Sequence, residues 1–200
     1  TDLTNGFVPT LNGAAVKIDL TDGVKVNEAN VIFTDLRALN GIIHGIDEVL
    51  LPPTKNLVEV AQSIPDFSIL VDAVVAAGLA ETLTTGGPFT VFAPTNNAFV
   101  NLLGELGFAD LNALVDALGI SGLQSVLLYH VVDGRVYSSD LPLGPLSVST
   151  KNTQSFTIDV TIPGITDANG RESGLVPSRL DVQATNGVIH VIDTVILPVL

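Results

Sequence analysis

The alternation of apolar and polar positions divides the chain into three blocks. Residues 1–53 carry short runs with strand-like alternation, namely AAVKIDL, GVKVN, NVIFTDL and GIIHGIDEVLL, separated by Gly, Asn and Asp. Residues 56–129 show mostly helical spacing instead. After Gly134 the strand pattern returns, from RVYSS and SFTIDVTI to the closing segment NGVIHVIDTVILP. The pattern therefore predicts strands, then helices, then strands again.

The middle block contains several candidate helices around one short strand. FSILVDAVVAAGL has apolar residues at helical spacing, and Asp66 is placed to cap this helix. PFTVFAPT predicts a strand, and Thr95, Asn96 and Asn97 offer capping side chains for the helix that follows. LNALVDAL and SGLQSVLLYH predict two further amphipathic helices.

One segment occurs twice. Residues 35–52 align with 181–198 at an offset of 146, with eleven identities in eighteen positions. This spacing is typical of a domain rather than of a solenoid repeat. The linker LPPTK lies at the expected boundary, so we predict that 1–53 is the strand-rich C-terminal part of one domain and 54–200 a complete second domain. The chain has no Met, which leads us to expect that it was processed or cut from a longer polypeptide.

Each copy of the repeat places a His three residues before an Asp. The pairs are His44 with Asp47 and His190 with Asp193, and a catalytic pair, a metal site or a scaffold would each fit such spacing. Side chains alternate faces along a strand, so both pairs are expected on opposite faces, too far apart for a catalytic hydrogen bond. The surrounding sequence offers no convergent metal ligands. We therefore expect His190 to be a core histidine bonded to the backbone, and Asp193 to brace a neighbouring loop.

Composition and the absence of known motifs exclude several classes of function. The net charge of −13 without a Lys/Arg cluster argues against nucleic acid as a partner, and it either keeps an apolar protein soluble or attracts Ca²⁺. The chain has no Cys, no GxSxG elbow and no phosphate-binding Gly-rich loop. DANGRE lacks the acid spacing of a calcium loop. The apolar run ILVDAVVAAGLA is twelve residues long, so no membrane span is expected. We predict no catalytic, cofactor or metal site, and therefore no enzyme.

Three motifs in order, TVFAPTNNAF, LLYHVV and NGVIHVIDTVILP, resemble those of the fasciclin (FAS1) domain family. The resemblance spans about 54–198, and residues 10–53 resemble the last third of a preceding FAS1 domain. It implies an α+β fold, a wedge-like β-sandwich decorated with several helices. Residues 162–179 have no counterpart in the first copy, and we expect them to form an inserted hairpin or loop.

The resemblance also implies a function. FAS1 domains are expected to be extracellular or on the cell surface, often in tandem copies, and to act in adhesion and matrix binding. Tyr129 and His130 match a family motif tied to structural integrity and adhesion, and Asp193 lies in a stretch implicated in integrin-type recognition in animal members. Expected partners are other proteins, extracellular matrix or surface glycans, and neighbouring FAS1 domains or like subunits. The alternative is a structural subunit or spacer of a surface stalk or filament, because the apolar faces of 1–53 must pack on something.

Overall fold

Two units divide the chain, Thr1–Pro53 and Thr54–Leu200, hereafter unit 1 and unit 2. The structure is a computed structural model of the 200-residue chain, and it describes residues 4–199.

Unit 1 is a meander of five antiparallel strands in sequence order. They are β1 (Gly6–Pro9), β2 (Ala15–Asp19), β3 (Lys25–Val26), β4 (Ala29–Ala38) and β5 (Gly41–Ile46). The register between β4 and β5 shifts twice, and Asp35 takes a left-handed φ of 62° in this irregular stretch. Few apolar side chains of unit 1 are buried, and most of β4 and β5 is exposed.

Unit 2 begins with a segment that holds its helices, residues 54–143, which we call the helical half. Its α-helices are α1 (Leu57–Gln62), α2 (Ser68–Ala76), α3 (Ala80–Thr85), α4 (Asn96–Leu106) and α5 (Leu111–Tyr129). Two strands belong to it, β6 (Phe89–Pro94) and β7 (Val131–Asp133). Local capping explains the helix starts: Asn56 and Glu59 form a capping box on α1, and Asp110 Oδ1 accepts from the Ala113 N–H at 2.9 Å on α5.

Two details differ from the sequence-based prediction. Asp66 does not cap the second helix, because the chain passes through a short 3-10 helix, Pro65–Phe67, in which Asp66 bonds to Arg179 at 2.7 Å instead. The two helices predicted from LNALVDAL and SGLQSVLLYH form one run, α5, interrupted by non-helical backbone at Gly119 with φ 68° and ψ 169°.

The rest of unit 2, residues 144–199, is the strand half. Its strands are β8 (Pro145–Ser149), β9 (Ser155–Asp159), β10 (Gly164–Thr166), β11 (Glu172–Gly174), β12 (Val182–Ala184) and β13 (Gly187–Ile192). One sheet has the order β11-β10-β9-β8, and the other has the order β12-β13-β6-β7. The β10–β11 pair accounts for residues 162–179 as an inserted hairpin.

Strand β13 links the two halves of unit 2. It pairs antiparallel with β12 and parallel with β6, in register from Gly187 opposite Phe89 to Ile192 opposite Pro94. All six of its residues are buried. Ile189 belongs to the core formed with the helices, whereas Ile192 belongs to a second core around Phe156. Helices and largely antiparallel sheets thus occupy separate segments, and the predicted α+β class is confirmed.

Candidate functional site

The candidate residues of unit 2 lie at the junction of its two halves. His190 on β13 is 2% exposed. Its Nδ1 accepts from the Asp181 N–H at 3.3 Å, and its Nε2 lies 2.8 Å from the Val136 carbonyl oxygen. The ring therefore holds its proton on Nε2 and donates it to Val136. Burial lowers the pKa of His190, although the Val136 carbonyl opposes the shift.

The acid beside His190 is Asp181, not Asp193. The Asp181 Oδ1 lies 3.9 Å from His190 Nδ1, and this carboxylate also accepts from the Ser138 N–H at 2.7 Å. The Asp193 Oδ1 instead accepts from the Gly174 N–H at 2.7 Å and from the Thr194 hydroxyl at 3.0 Å. His190 and Asp193 thus have separate partners: His190 bonds to Asp181 and Val136, and Asp193 bonds to Gly174 and Thr194.

Tyr129 and His130 join the end of α5 to the strand half. The Tyr129 hydroxyl donates to the Ser155 carbonyl at 2.9 Å and accepts from the Ala168 N–H at 3.0 Å. His130 Nδ1 donates to the Val126 carbonyl at 2.8 Å, which leaves Nε2 to accept from the Ile196 N–H at 3.2 Å. Burial raises the pKa of Tyr129 and lowers that of His130 to about 4, so His130 is neutral at pH 7.

Two apolar cavities meet at His130. One, of about 50 Å³, lies beneath α1 and α2, and the other, of about 320 Å³, lies between α4 and α5. His130 is the polar residue that lines both, and its two ring nitrogens already bond to the backbone. The cavities therefore lack a polar side chain free to orient a substrate.

Thr95 and Asn96 fix the start of α4. The Thr95 hydroxyl accepts from the Ala98 N–H at 3.2 Å as the N-cap. Asn96 reaches another segment: its Oδ1 accepts from the Ile69 N–H at 3.0 Å, and its Nδ2 donates to the Ser68 hydroxyl at 2.9 Å. Asn96 thereby ties α4 to the start of α2.

His44 and Asp47 in unit 1 repeat part of this geometry on an exposed strand. His44 Nδ1 accepts from the Asp35 N–H at 3.3 Å, the same distance as in the His190–Asp181 contact. Both carboxylate oxygens of Asp47 accept from Asn30, one from its N–H and one from its Nδ2, each at 2.7 Å. Like their counterparts in unit 2, His44 and Asp47 do not share a partner.

Two polar side chains at the junction were not singled out from the sequence. Asn186 Oδ1 accepts from the Leu57 N–H at 2.9 Å, while its Nδ2 donates to three carbonyls, two in the last turn of α3 and one just after it. Asp167 is 6% exposed and accepts from three backbone N–H groups, one of them from Leu197 near the end of the chain. The sequence could have pointed to Asn186, because the same residue, Asn40, stands at its position in the repeat. No such identity marks Asp167.

Within residues 4–199, no group of three His, Asp or Glu side chains is arranged to hold a metal ion. One helix, α5, is long and apolar enough to cross a membrane by length and composition. Counting consecutive apolar residues misses this helix, because Gly119 and several polar residues divide the run. Its second part contributes Leu123, Val126 and Leu127 to the core of unit 2, while only 22% of the apolar stretch of α5 is buried.

The sequence profile of the Fasciclin domain matches residues 1–52 and 65–198. The Synechocystis sp. protein sll1735 is 41% identical over 142 residues, which are 71% of this chain and 97% of that protein. Transforming growth factor-beta-induced protein ig-h3 of Sus scrofa is 33% identical over 191 residues, which are 94% of this chain but only 26% of that protein.

A solved FAS1 domain pair from the insect cell adhesion molecule Fasciclin I has a similar fold. It matches with a TM-score of 0.53 and 23% sequence identity, over 98% of this chain and 71% of that chain. The three sequence motifs therefore occur in the fold that they imply, with β6, the end of α5 and β13 meeting at the junction of unit 2. The chain belongs to the fasciclin domain family.

Proposed function

We propose that this chain is a non-enzymatic adhesion or matrix-binding module that acts outside the cell or at its surface, in tandem copies. The main support for the proposal is that the polar side chains of the sequence motifs are occupied by hydrogen bonds within the domain. The polar atoms of Tyr129, His130 and His190 bond to the protein's own backbone, so they assemble the two halves of unit 2. A partner would therefore bind to residues on the surface of the domain.

The surface is acidic, with 21 Asp and Glu against 8 Lys and Arg. Such a surface favours basic or cation-bridged partners over phosphate backbones and sulfated glycans. Asp193 is an exposed member of this surface, next to the β10–β11 hairpin that unit 1 lacks. We propose Asp193 and this hairpin as part of the recognition face, with a protein or matrix partner rather than a sulfated polysaccharide.

Surface binding tests the proposal. The single chain and a tandem of two linked copies are passed over immobilised collagen, fibronectin and heparin at physiological salt. We expect binding to a protein surface, tighter for the tandem by about tenfold or more through avidity, and none to heparin. Asp193→Asn should weaken it, while Asp47→Asn, the same change at the equivalent site of unit 1, should not. Tandem binding no stronger than blank on both protein surfaces would refute the adhesion proposal.

The alternative, a structural subunit or spacer of a stalk or filament, is favoured by the exposed apolar face of unit 1. Analytical ultracentrifugation with electron microscopy separates the two functions. Ordered polymers that grow with concentration, together with no binding to the coated surfaces, would favour the filament.

A further inference from the structure

The larger of the two cavities that meet at His130 lies between α4 and α5 and has a volume of about 320 Å³. Apart from His130, the residues described along its wall are all apolar. Both ring nitrogens of His130 already bond to the backbone, at Val126 and Ile196. A buried water needs about two to four polar partners, so the cavity does not favour water. Left empty, it deprives the wall of dispersion contacts. Its chemistry therefore selects an apolar occupant.

The cavity is elongated along α5. Its wall includes Leu114 near the start of this helix, Leu127 in the last turn and His130 at the C-cap. On the opposite side the wall includes Leu102 of α4. Leu106, the last residue of α4, also lines the cavity and is 47% exposed, so the cavity opens to the surface there. A long space that opens at the surface fits a linear chain better than a compact ring.

The volume sets the length of that chain. An apolar cavity of about 150 Å³ in another protein holds one benzene molecule, which has six carbon atoms. The cavity between α4 and α5 is about 320 Å³, so by the same measure it holds about ten to twelve carbon atoms. The cavity of about 50 Å³ beneath α1 and α2 is too small for such a chain.

The first part of α5 forms a wall of the cavity that is itself poorly buried. Its apolar residues recur at helical spacing, at Leu111, Leu114, Val115 and Leu118. Of residues 111–118, all of which the structure describes, Leu114 alone is buried. Gly107 and Gly119 bracket this part, with left-handed φ angles of 75° and 68°. An occupant of the cavity would complete the burial of this apolar stripe.

The charges around the opening are negative. Residues 96–129 contain three acids and no Lys or Arg. Glu105 precedes Leu106 at the opening, and its charge is paired with Arg171 at 2.8 Å. Asp110 is exposed as the N-cap of α5, and it lies in the chain between Phe108 and Leu114, which both line the cavity. These charges repel an anionic head group and favour a neutral or cationic one.

We propose that this cavity binds the linear hydrocarbon chain of a single-chain amphiphile whose head group is uncharged or cationic. The chain lies along α5 with its end near His130, and its head group stays at the surface beside Leu106 and Asp110. Leu114 and Leu118 pack on the chain. The proposal goes beyond adhesion, because the cavity is inside the helical half of unit 2 and does not involve Asp193.

Isothermal titration calorimetry of the 200-residue chain with a series of 1-alkanols tests the proposal. We expect one molecule to bind per chain. The affinity should rise about fourfold for each added methylene and level off at about ten to twelve carbons, because a longer chain finds no further apolar space. 1-Adamantanol has the carbon count of 1-decanol in a compact cage, and it should bind at least about tenfold more weakly.

The head group is tested with two charged compounds of matched chain length, each below its micelle concentration. Decyltrimethylammonium should bind at least about tenfold more tightly than decanoate, and added salt should reduce this ratio. Decanoate that binds as tightly as decyltrimethylammonium would overturn the assignment of the head group.

Filling the cavity tests its location. Leu114→Trp places a larger side chain in the cavity and should abolish 1-decanol binding. Val100→Trp is the matched control, because Val100 on α4 is 56% exposed and lies outside the cavity wall; it should bind 1-decanol as the unsubstituted chain does. If circular dichroism shows that Leu114→Trp does not fold, Leu118→Trp on the less buried part of the wall replaces it. The alkanol series does not depend on either variant.

Three outcomes would overturn the proposal. One is no saturable binding of 1-decanol to the unsubstituted chain. The second is an affinity that keeps rising beyond about sixteen carbons, as in adsorption without a bounded cavity. The third is binding to phosphatidylcholine vesicles that a folded Leu114→Trp or Leu118→Trp variant retains, without binding of free 1-decanol, which would assign the exposed apolar residues of α5 to a lipid surface.

Discussion

Acidification should destabilise unit 2 through His130. Burial lowers its pKa in the folded protein from 6.5 to about 4. Above pH 6.5 the ring is neutral in both the folded and the unfolded chain, so its contribution to stability is complete. As the pH falls from 6.5 to about 4, the unfolded chain binds a proton that the folded chain does not, and stability is lost. The loss from this residue amounts to about 3 kcal/mol in total.

The substitution His130→Gln isolates this effect. A glutamine does not titrate, and its amide retains a donor and an acceptor for the backbone groups that His130 binds. At neutral pH we expect the variant to be about 1–2 kcal/mol less stable, because one of the two bonds will be poorly aligned. Its loss of stability on acidification should be smaller than that of the unsubstituted protein by up to about 3 kcal/mol. His190, whose pKa is also lowered by burial, contributes to the loss that remains in the variant.

Urea unfolding between about pH 7.5 and pH 4.5 measures the difference. The chain has no Trp, and its two Tyr residues, Tyr129 and Tyr137, both lie in unit 2, so tyrosine fluorescence follows unit 2 alone. Titrating carboxylates contribute equally to both proteins and cancel in the comparison. His44→Gln, on the exposed strand of unit 1, is the matched control. Equal losses of stability for the unsubstituted protein and the His130→Gln variant would refute the linkage.

Three further predictions concern packing and buried hydrogen bonds. Gly187→Ala should destabilise unit 2 by about 3 kcal/mol or more, because the added Cβ would overlap the Phe89 carbonyl oxygen. The control Gly41→Ala should change stability by less than about 1 kcal/mol, because no atom lies within 4 Å of the added Cβ. Unfolding followed by circular dichroism measures both. Tyr129→Phe should cost about 1–2 kcal/mol in urea unfolding, and no loss would contradict its anchoring role. Asp167→Asn should cost about 1–3 kcal/mol in the same assay, since an amide cannot accept all three N–H bonds.

Much of the architecture followed from the sequence. Alternation and helical spacing placed the strand and helix blocks, and the repeat identified two related strand segments. The alternation rule also indicated that His190 and Asp193 do not form a pair, and the two side chains do have different partners. These features are local in sequence, so periodicity alone can report them.

The sequence did not predict the contacts between segments that are far apart along the chain. Asp181 borders His190 because β12 and β13 form a hairpin whose register the sequence does not display. Asn186 bonds to Leu57 across 129 residues, and Asp66 bonds to Arg179 rather than capping a helix. Such contacts arise from the tertiary fold, which outweighs local propensity.

The parallel pairing of β6 with β13 has a consequence for biosynthesis. β6 ends at Pro94 and β13 begins at Gly187, so the strand that completes the sheet is translated after nearly all of the domain. At about 5–20 residues per second, the ribosome leaves the nascent helices waiting several seconds for their last partner. A truncation shortly before Gly187 would keep most of unit 2, yet it would deprive the sheet of the interior strand β13. We expect such truncated products to be degraded by cellular quality control.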